Sequence, residues 1–510
     1  MGALIAAADT LTGPSIGWFE LSPLLVLLGG ALLLLLLGSL LPPWPRGGYA
    51  LFTMVVSGAV IVLCFVLWHD VTDSGARTLV GDALSLDRFS LWITATISAA
   101  VFMSALVSES YLRREGLEGP ELYALYMLAA LGGIVMGAAN DLIVLFLGLE
   151  ILSISLYVMA ASHRKRAQSQ EAGIKYFILG GFSSAFFLYG IALVYGGSGS
   201  TNFTKIVASF NDLVPVERHD AMVLAGVALL IVGLGFKVAA VPFHFWTPDV
   251  YQGSPTPVTA FMASAAKAAA FAALLRVLVD ALPHWRDDYR PVIWALAVLT
   301  LVVGSIMAVV QTDVKRMLAF SSISHAGFLL VGVEAASHRA GDVDGGRGVS
   351  AVLLYLLVYA FLVLGTFAIV GVVSRTGDGS TDLGAFRGLG RSNPVLALAL
   401  TVLLLAQAGV PLTSGFIAKF GVIQAAVDER SYAIAVIAMV SAVIAAFLYL
   451  RIMISTWIAD PEAGDGARET VSVPFTARLA IMLAVGVTLI VGFFPSFLID
   501  VSNAVTATGF

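Results

Sequence analysis

The chain has 510 residues, of which 59% are hydrophobic and only 12% charged. A soluble globular domain carries roughly a quarter charged residues, so this composition excludes a soluble enzyme or binding module and indicates an integral membrane protein with many spans. The net charge of −5 is small for such a length and gives no support to nucleic-acid binding; the single cysteine, Cys64, excludes an intrachain disulfide and any cysteine-ligated metal or iron–sulfur cluster.

Long uncharged runs settle the type of span. Leu21 to Pro45, Gly47 to Trp68 and Phe89 to Ser108 contain no Asp, Glu, Lys or Arg. Each reaches the ~20 residues that an α-helix needs to cross the hydrocarbon. A β-barrel would instead show alternating segments of about ten residues. Apolar runs bounded by charges, Gly and Pro predict fourteen helices near 19–41, 49–69, 86–109, 121–139, 142–162, 170–196, 221–242, 255–280, 289–310, 315–333, 349–374, 394–427, 431–458 and 474–503. The seventh is interrupted at Pro242, and the overlong twelfth is broken around Pro411 and Gly415. The chain reads as one polytopic membrane domain over 1–510, all-α in class.

Loop charges give an orientation. Arg46, Arg113, Arg114, Arg164, Lys165, Arg166, Lys315, Arg316, Arg375, Arg387, Arg391 and Arg468 follow odd-numbered helices. The opposite side has fewer: Arg77, Arg88, Lys205, Arg218, Arg286, Arg290, Arg339, Arg347 and Arg430. The bias puts both termini outside. No Lys or Arg precedes Arg46, so the basic start of a cleavable signal peptide is not expected.

An internal repeat is also visible. Val241–Pro242 and Val410–Pro411 each break a long apolar run with a lysine nearby, Lys237 and Lys419. Matching helices four to eight (121–280) with nine to thirteen (289–458) gives units of five spans, and an odd count inverts the second copy in the membrane. Paired broken helices in inverted repeats mark where a transporter holds the conducted species.

The chemistry sits in those spans. Only seven lysines occur, and four fall within predicted helices: Lys175, Lys237, Lys267 and Lys419. Glu150 is the one carboxylate well inside a span, and His325 lies nine residues past Arg316. Nine residues are roughly 13 Å of helix, close to half of a ~30 Å core. At roughly 2.5–3.5 kcal/mol per charge at bilayer depth, three central lysines and a glutamate would cost on the order of 10 kcal/mol, rivalling the whole stability of a typical fold. Desolvation disfavours a buried ammonium and a nearby carboxylate favours it, so a lysine held between the two can load and release a proton.

Each residue also has a plainer reading. Lys237 could bond carbonyls freed by Pro242, and Glu150 could be only its counter-ion. His325 could be a satisfied core histidine. Lys419 and Lys175 could snorkel, and Lys175 could pair with Glu171 one turn away. Asp141 and Glu334 fall at helix ends and read as solvated, while His244 follows the break and could line water.

The segments KYFILGGFSSAFFLYG (175–190), GFKVAAVPFHFWTPDVYQGSPTPVTAFMASAAKAAAF (235–271), QTDVKRMLAFSSISHAGF (311–328) and GVPLTSGFIAKF (409–420) resemble the antiporter-like proton-channel family of respiratory complex I. The resemblance runs from helix four to helix thirteen and is closest to the N-type branch. It implies a proton relay in which Glu150 pairs with Lys237, Lys267 is central, Lys419 terminal, and Lys175 and His325 take the matching lysine and histidine positions. M-type members are expected to carry glutamate where Lys419 stands, and L-type members a lateral helix after the bundle. No cofactor is implied in this chain: FMN, iron–sulfur clusters and quinone would be held by other subunits. The implied neighbours are the antiporter-like subunit M on one side and the small subunits K and J on the other, with lipid around them, in a bacterial inner membrane.

The expected function is therefore proton translocation as a subunit of NADH-quinone oxidoreductase, driven by electron transfer elsewhere. A subunit of a multisubunit Na⁺/H⁺ antiporter is the runner-up, a membrane-bound hydrogenase subunit a weaker relative of it, and a non-conducting scaffold the third.

Overall fold

A computed structural model of the chain describes residues 16–41, 44–211, 220–341, 346–374, 378–459 and 471–506. Arg218, Arg375 and Arg468, used above for orientation, lie outside the described residues. Helices α1 (Ser22–Leu40) and α2 (Gly48–Ser74) lead to a small hairpin, β1 (Arg77–Leu79) against β2 (Leu84–Leu86). Then come α3 (Arg88–Glu115), α4 (Glu121–Ala138), α5 (Leu142–Ala160), α6 (Ala167–Ser198), the surface helix α7 (Phe203–Asn211) and α8 (Asp220–Val238). After a break, α9 (Trp246–Gly253) completes the crossing that α8 began. Next are α10 (Thr256–Ala281), α11 (Arg286–Val309), α12 (Val314–His338) and α13 (Gly346–Val373). The half-helices α14 (Pro394–Ala408) and α15 (Ser414–Asp428) precede α16 (Tyr432–Trp457), α17 (Phe475–Phe493) and α18 (Ser496–Thr506).

Among the described residues, thirteen helices are long and apolar enough to cross a membrane. The broken pair α14–α15 supplies one more crossing, which gives the fourteen expected. The seventh and twelfth crossings are the broken ones. The breaks are built alike: Ala239 (φ +63°) ends α8 and Gly409 (φ +90°) ends α14, both left-handed, and a Val–Pro pair follows within two residues. Proline cannot donate to the preceding turn, so the helix stops there.

Polar residues fix the ends of the spans. Asp87 and Ser90 form a reciprocal capping box at α3, Asp141 accepts from Ile143 and Val144 at α5, and Asp313 accepts from the Arg316 amide at α12. Two cross-links tie one face of the bundle together, Arg77 to Glu20 and Arg88 to the carbonyl of Ala504. This terminal face holds the described ends of the chain. The opposite, basic face holds Arg113, Arg166 and Lys315. The apolar stretches of α10 and α12 are buried at the centre, whereas α1, α2, α6, α16 and α17 are mostly exposed and apolar, as lipid- or subunit-facing helices must be.

Three expectations change. The last predicted helix, 474–503, is two, because Phe494 leaves helical geometry and Pro495 starts a new helix whose first turn is closed by Ile499 N to Pro495 O. The tenth, expected to end at 333, continues to His338. Glu334 is consequently not a solvated helix end but a buried side chain, 2% exposed.

Candidate functional site

Lys237 sits in the last turn of α8, buried, with its Nζ 5.5 Å from the ring centre of Tyr157 and 5.3 Å from that of Tyr176. An ammonium over aromatic faces is held by their quadrupoles. The carbonyls freed by the break are taken elsewhere: Phe236 O accepts from Ala239 N and Trp246 Nε1, and Gly235 O accepts from Ala240 N. Among the described residues Lys237 Nζ has no hydrogen-bond partner, so its plainer reading, bonding carbonyls released by Pro242, does not hold. Glu150 on α5 is half-buried and accepts from Ser184 Oγ at 2.5 Å rather than contacting Lys237.

Lys267 lies at the middle of α10, immediately after a π-helical stretch, Met262–Ala266. Such bulges recur at functional sites because they re-aim side chains. Its Nζ donates to the carbonyl of Ser322 at 2.5 Å and to the Ser322 hydroxyl at 2.7 Å, and lies 5.6 Å from the Tyr359 ring centre. Ser322 is on α12 one turn before His325. The ring nitrogens of His325 are each engaged, Nδ1 with Tyr355 Oη at 2.6 Å and Nε2 with Tyr449 Oη at 3.2 Å. One turn further on, Phe328 lies under Lys419, whose Nζ is 4.8 Å from the ring centre. Lys419 Nζ donates to Ala408 O at 3.0 Å. A cation on the carbonyl end of a half-helix is where the backbone dipole favours it.

A single buried helix face, Ser322–His325–Phe328, thus brings Lys267, His325 and Lys419 together. Lys237 and Glu150 form a separate group, joined to the middle through a stack of rings: Tyr176 on Trp246 at 4.5 Å and Trp246 to Tyr251 at 6.1 Å. Lys175 stands apart. It is about two-fifths exposed and paired with Glu171 at 2.7 Å and Asp249 at 2.8 Å, the ion-pair reading left open above. Asp249 also binds Arg316 at 2.7 Å. Lys175, Glu171 and Asp249 line a polar cavity of about 400 Å³ on the basic face, together with Arg166 and Asp378.

Sequence reading passed over Asp378. Its carboxylate is buried in the loop after α13 and is bonded by Tyr111, Arg166, Thr256, Lys315 and Ser374. Burial alone would push this carboxyl up, but Lys315 and Arg166, with the hydrogen bonds from Thr256 and Tyr111, outweigh it and hold the group below the usual carboxylate range. It also passed over Arg276, which ties α10 to Asp87, Asp280 and the Gly137 carbonyl near the terminal face. Nothing in the local sequence marks either residue, and only the third dimension shows how many elements they clamp. Among the described residues no group of His, Cys, Asp and Glu side chains is placed to hold a metal ion.

Residues 139–445 match the family model described as NADH:quinone oxidoreductase/Mrp antiporter, TM. The chain belongs to that family. Within it, the chain is 40% identical to NADH-quinone oxidoreductase subunit N 3 of Streptomyces griseus, over 98% of this chain and 95% of the relative. It is also 40% identical to subunit N of Mycobacterium bovis, over 97% and 98%. Among solved structures it is similar to a chain of respiratory complex I from Thermus thermophilus, at a TM-score of 0.77 and 32% identity, covering 96% of this chain and all of that one. A chain of the Mrp complex from Dietzia shares the fold at a TM-score of 0.83 but only 21% identity, over 96% and 97%. The resemblance read from the four sequence motifs is borne out, and the Mrp reading falls to a distant relationship.

Proposed function

We propose that this chain is an antiporter-like, proton-translocating subunit of an NADH-quinone oxidoreductase, of the N type. Electron transfer from NADH to quinone, on FMN, iron–sulfur clusters and quinone held by other subunits, would drive it. The observation that carries the reading is the convergence of Lys267, His325 and Lys419 on one buried face of α12. Three ionisable groups in the centre of a membrane bundle are costly, and residues of this kind mark proton and ion pathways. The identity of 40% with N-type relatives supports the assignment to complex I over Mrp.

In this reading Glu150 and Lys237 open and close as a pair. Lys237 passes its proton through the aromatic layer and water to Lys267, and His325 with its tyrosines carries it to Lys419. The polar cavity around Lys175 and Asp249 supplies protons from the basic, cytoplasmic side, and both termini face outward across a bacterial inner membrane. Subunit M would pack on one side and subunits K and J on the other. Repeat boundaries near 121–280 and 289–458 are part of the same proposal. Lys267→Ala in the intact complex tests it: assembly and uncoupled NADH oxidation persist while proton pumping falls. Wild-type pumping stoichiometry in that variant would refute the relay.

A further inference from the structure

We infer that Glu334, acting with His338, is the outlet that takes the proton from Lys419 and delivers it to the terminal face. The inference rests on the reading of Lys419 as the last lysine of the relay. It concerns what lies beyond that lysine, where the path must still leave the hydrocarbon.

Helices α12 and α15 run side by side from Phe328 and Lys419 towards the terminal face. A Cβ built on Gly332 would come within 3.0 Å of Val422 Cγ1, so the two helices touch midway. At their far ends Ser431 Oγ donates to Glu334 Oε1 at 3.0 Å, and His338 Nε2 is 3.1 Å from the same oxygen and 3.2 Å from Ser431 Oγ. Glu334 is 2% exposed, yet among the described residues its Oε2 has no hydrogen-bond partner. A buried carboxylate oxygen without a donor carries a desolvation penalty that only a proton or water relieves.

Its surroundings set Glu334 apart from the other buried carboxylates of this face. Asp87 and Asp280 share the Arg276 guanidinium, at 2.6 and 2.9 Å, so each has a permanent cation beside it. The ion-pair partner of Glu334 among the described residues is His338 alone, which can itself be neutral. From Phe328, beneath Lys419, to Glu334 is six residues, or about 9 Å along the helix, so the outlet requires water to enter between the two helices. The Lys419 ammonium gives up one proton and becomes an amine, and the Glu334 carboxylate takes it and becomes a carboxylic acid. Glu334 then passes the proton to the partly exposed His338, whose imidazolium loses it to solvent. Glu334 is then a carboxylate again beside a neutral Lys419, and the pair returns to zero net charge when the relay reloads the lysine.

The test uses the intact complex in proteoliposomes. Glu334→Gln keeps uncoupled NADH oxidation and lowers the protons pumped per NADH to within twofold of the loss in Lys419→Gln. The double variant pumps no less than the worse single one, and Glu334→Asp restores at least half of the loss. If Glu334→Gln pumps as wild type while Lys419→Gln does not, the outlet is refuted and the relay stands. If neither variant lowers pumping, the relay fails and the outlet with it. Should Glu334→Gln not assemble, infrared difference spectra decide. A carboxyl band that appears on turnover and shifts in Glu334→Asp supports the outlet, and no such band overturns it.

Discussion

Lys267 on α10 donates to both oxygens of Ser322 on α12, the carbonyl at 2.5 Å and the hydroxyl at 2.7 Å. The central lysine is thereby fastened to the helix that carries His325, one turn away. The carbonyl bond is indifferent to the side chain at position 322, but the hydroxyl bond is not. Because a hydroxyl can both donate and accept, it can also hand a proton on, which a carbonyl cannot.

Ser322→Ala therefore keeps half of the anchor and removes the exchangeable half. Loss of one hydrogen bond to a charged group weakens the arrangement by about 1.5–3 kcal/mol. Each ~1.36 kcal/mol added to the transfer barrier slows it tenfold. Proton translocation in proteoliposomes falls roughly tenfold or more, with uncoupled NADH oxidation unchanged. Ser322→Thr, which restores a hydroxyl, pumps near wild type. An alanine variant that pumped normally would mean the hydroxyl only holds the lysine in place.

His325 has two phenols for partners, and Tyr449 also bonds Ser321 Oγ at 2.6 Å. Tyr449→Phe keeps the ring and its packing but deletes both bonds. If His325 is a structural histidine, the variant loses about 1–2 kcal/mol of stability and nothing else. If it carries protons, pumping drops by a larger factor than assembly does. Comparing pumping per assembled complex with the melting midpoint of the purified complex separates the two, and a parallel decline would return His325 to the core.

Much of this layout was legible before any coordinates. Apolar runs of membrane length have one structural solution, so fourteen crossings could be counted from composition and breaks alone. Lys237, Lys267 and Lys419 stood out because a charge in an apolar run has no local excuse. Residues such as Asp378 and Glu334 did not stand out, because charges near helix ends are ordinarily solvated. Only the length of α12, five residues beyond its expected end, and the packing of α15 against it bury Glu334. The tyrosines around His325 come from α13 and α16 and share no spacing with it in the sequence. Lys175 shows the converse: a lysine inside a predicted span that the fold turns to the cavity rim, against Glu171 and Asp249.

Asp378 gives a pH dependence with a definite sign. Lys315 and Arg166 hold its folded-state carboxyl below the usual range, while the unfolded carboxyl titrates near ~3.9. A depressed folded value means the stabilisation is complete above that unfolded value and is lost as the pH falls through the lower, folded one. Removing one partner of a buried pair costs about 3–5 kcal/mol, so Asp378→Asn lowers the melting midpoint of the complex clearly at pH 7. The gap between wild type and variant stays level down to about pH 5 and narrows below about pH 4. A gap independent of pH down to the acid limit would show that hydrogen bonding, not charge, holds this loop.

The last prediction concerns the second break. Gly409 has φ +90°, and a Cβ added there would lie 3.0 Å from Cδ of Lys419. A non-glycine residue at such a backbone angle costs about 1–3 kcal/mol, and the methyl group presses on the stem of the lysine that caps Ala408. Gly409→Ala should therefore move the Lys419 ammonium off the helix end without touching its charge. The expected result is a pumping defect like that of Lys419→Gln, with the complex assembled and uncoupled NADH oxidation retained. Gly348→Ala is the control. Its Cβ would meet Ala336 N at 2.3 Å, so it disturbs the packing of α13 on α12 and should lower stability without selecting the pump. Equal losses of assembly in the two variants would show that Gly409 serves packing alone. A selective loss in Gly409→Ala ties the left-handed turn to the position of the terminal lysine.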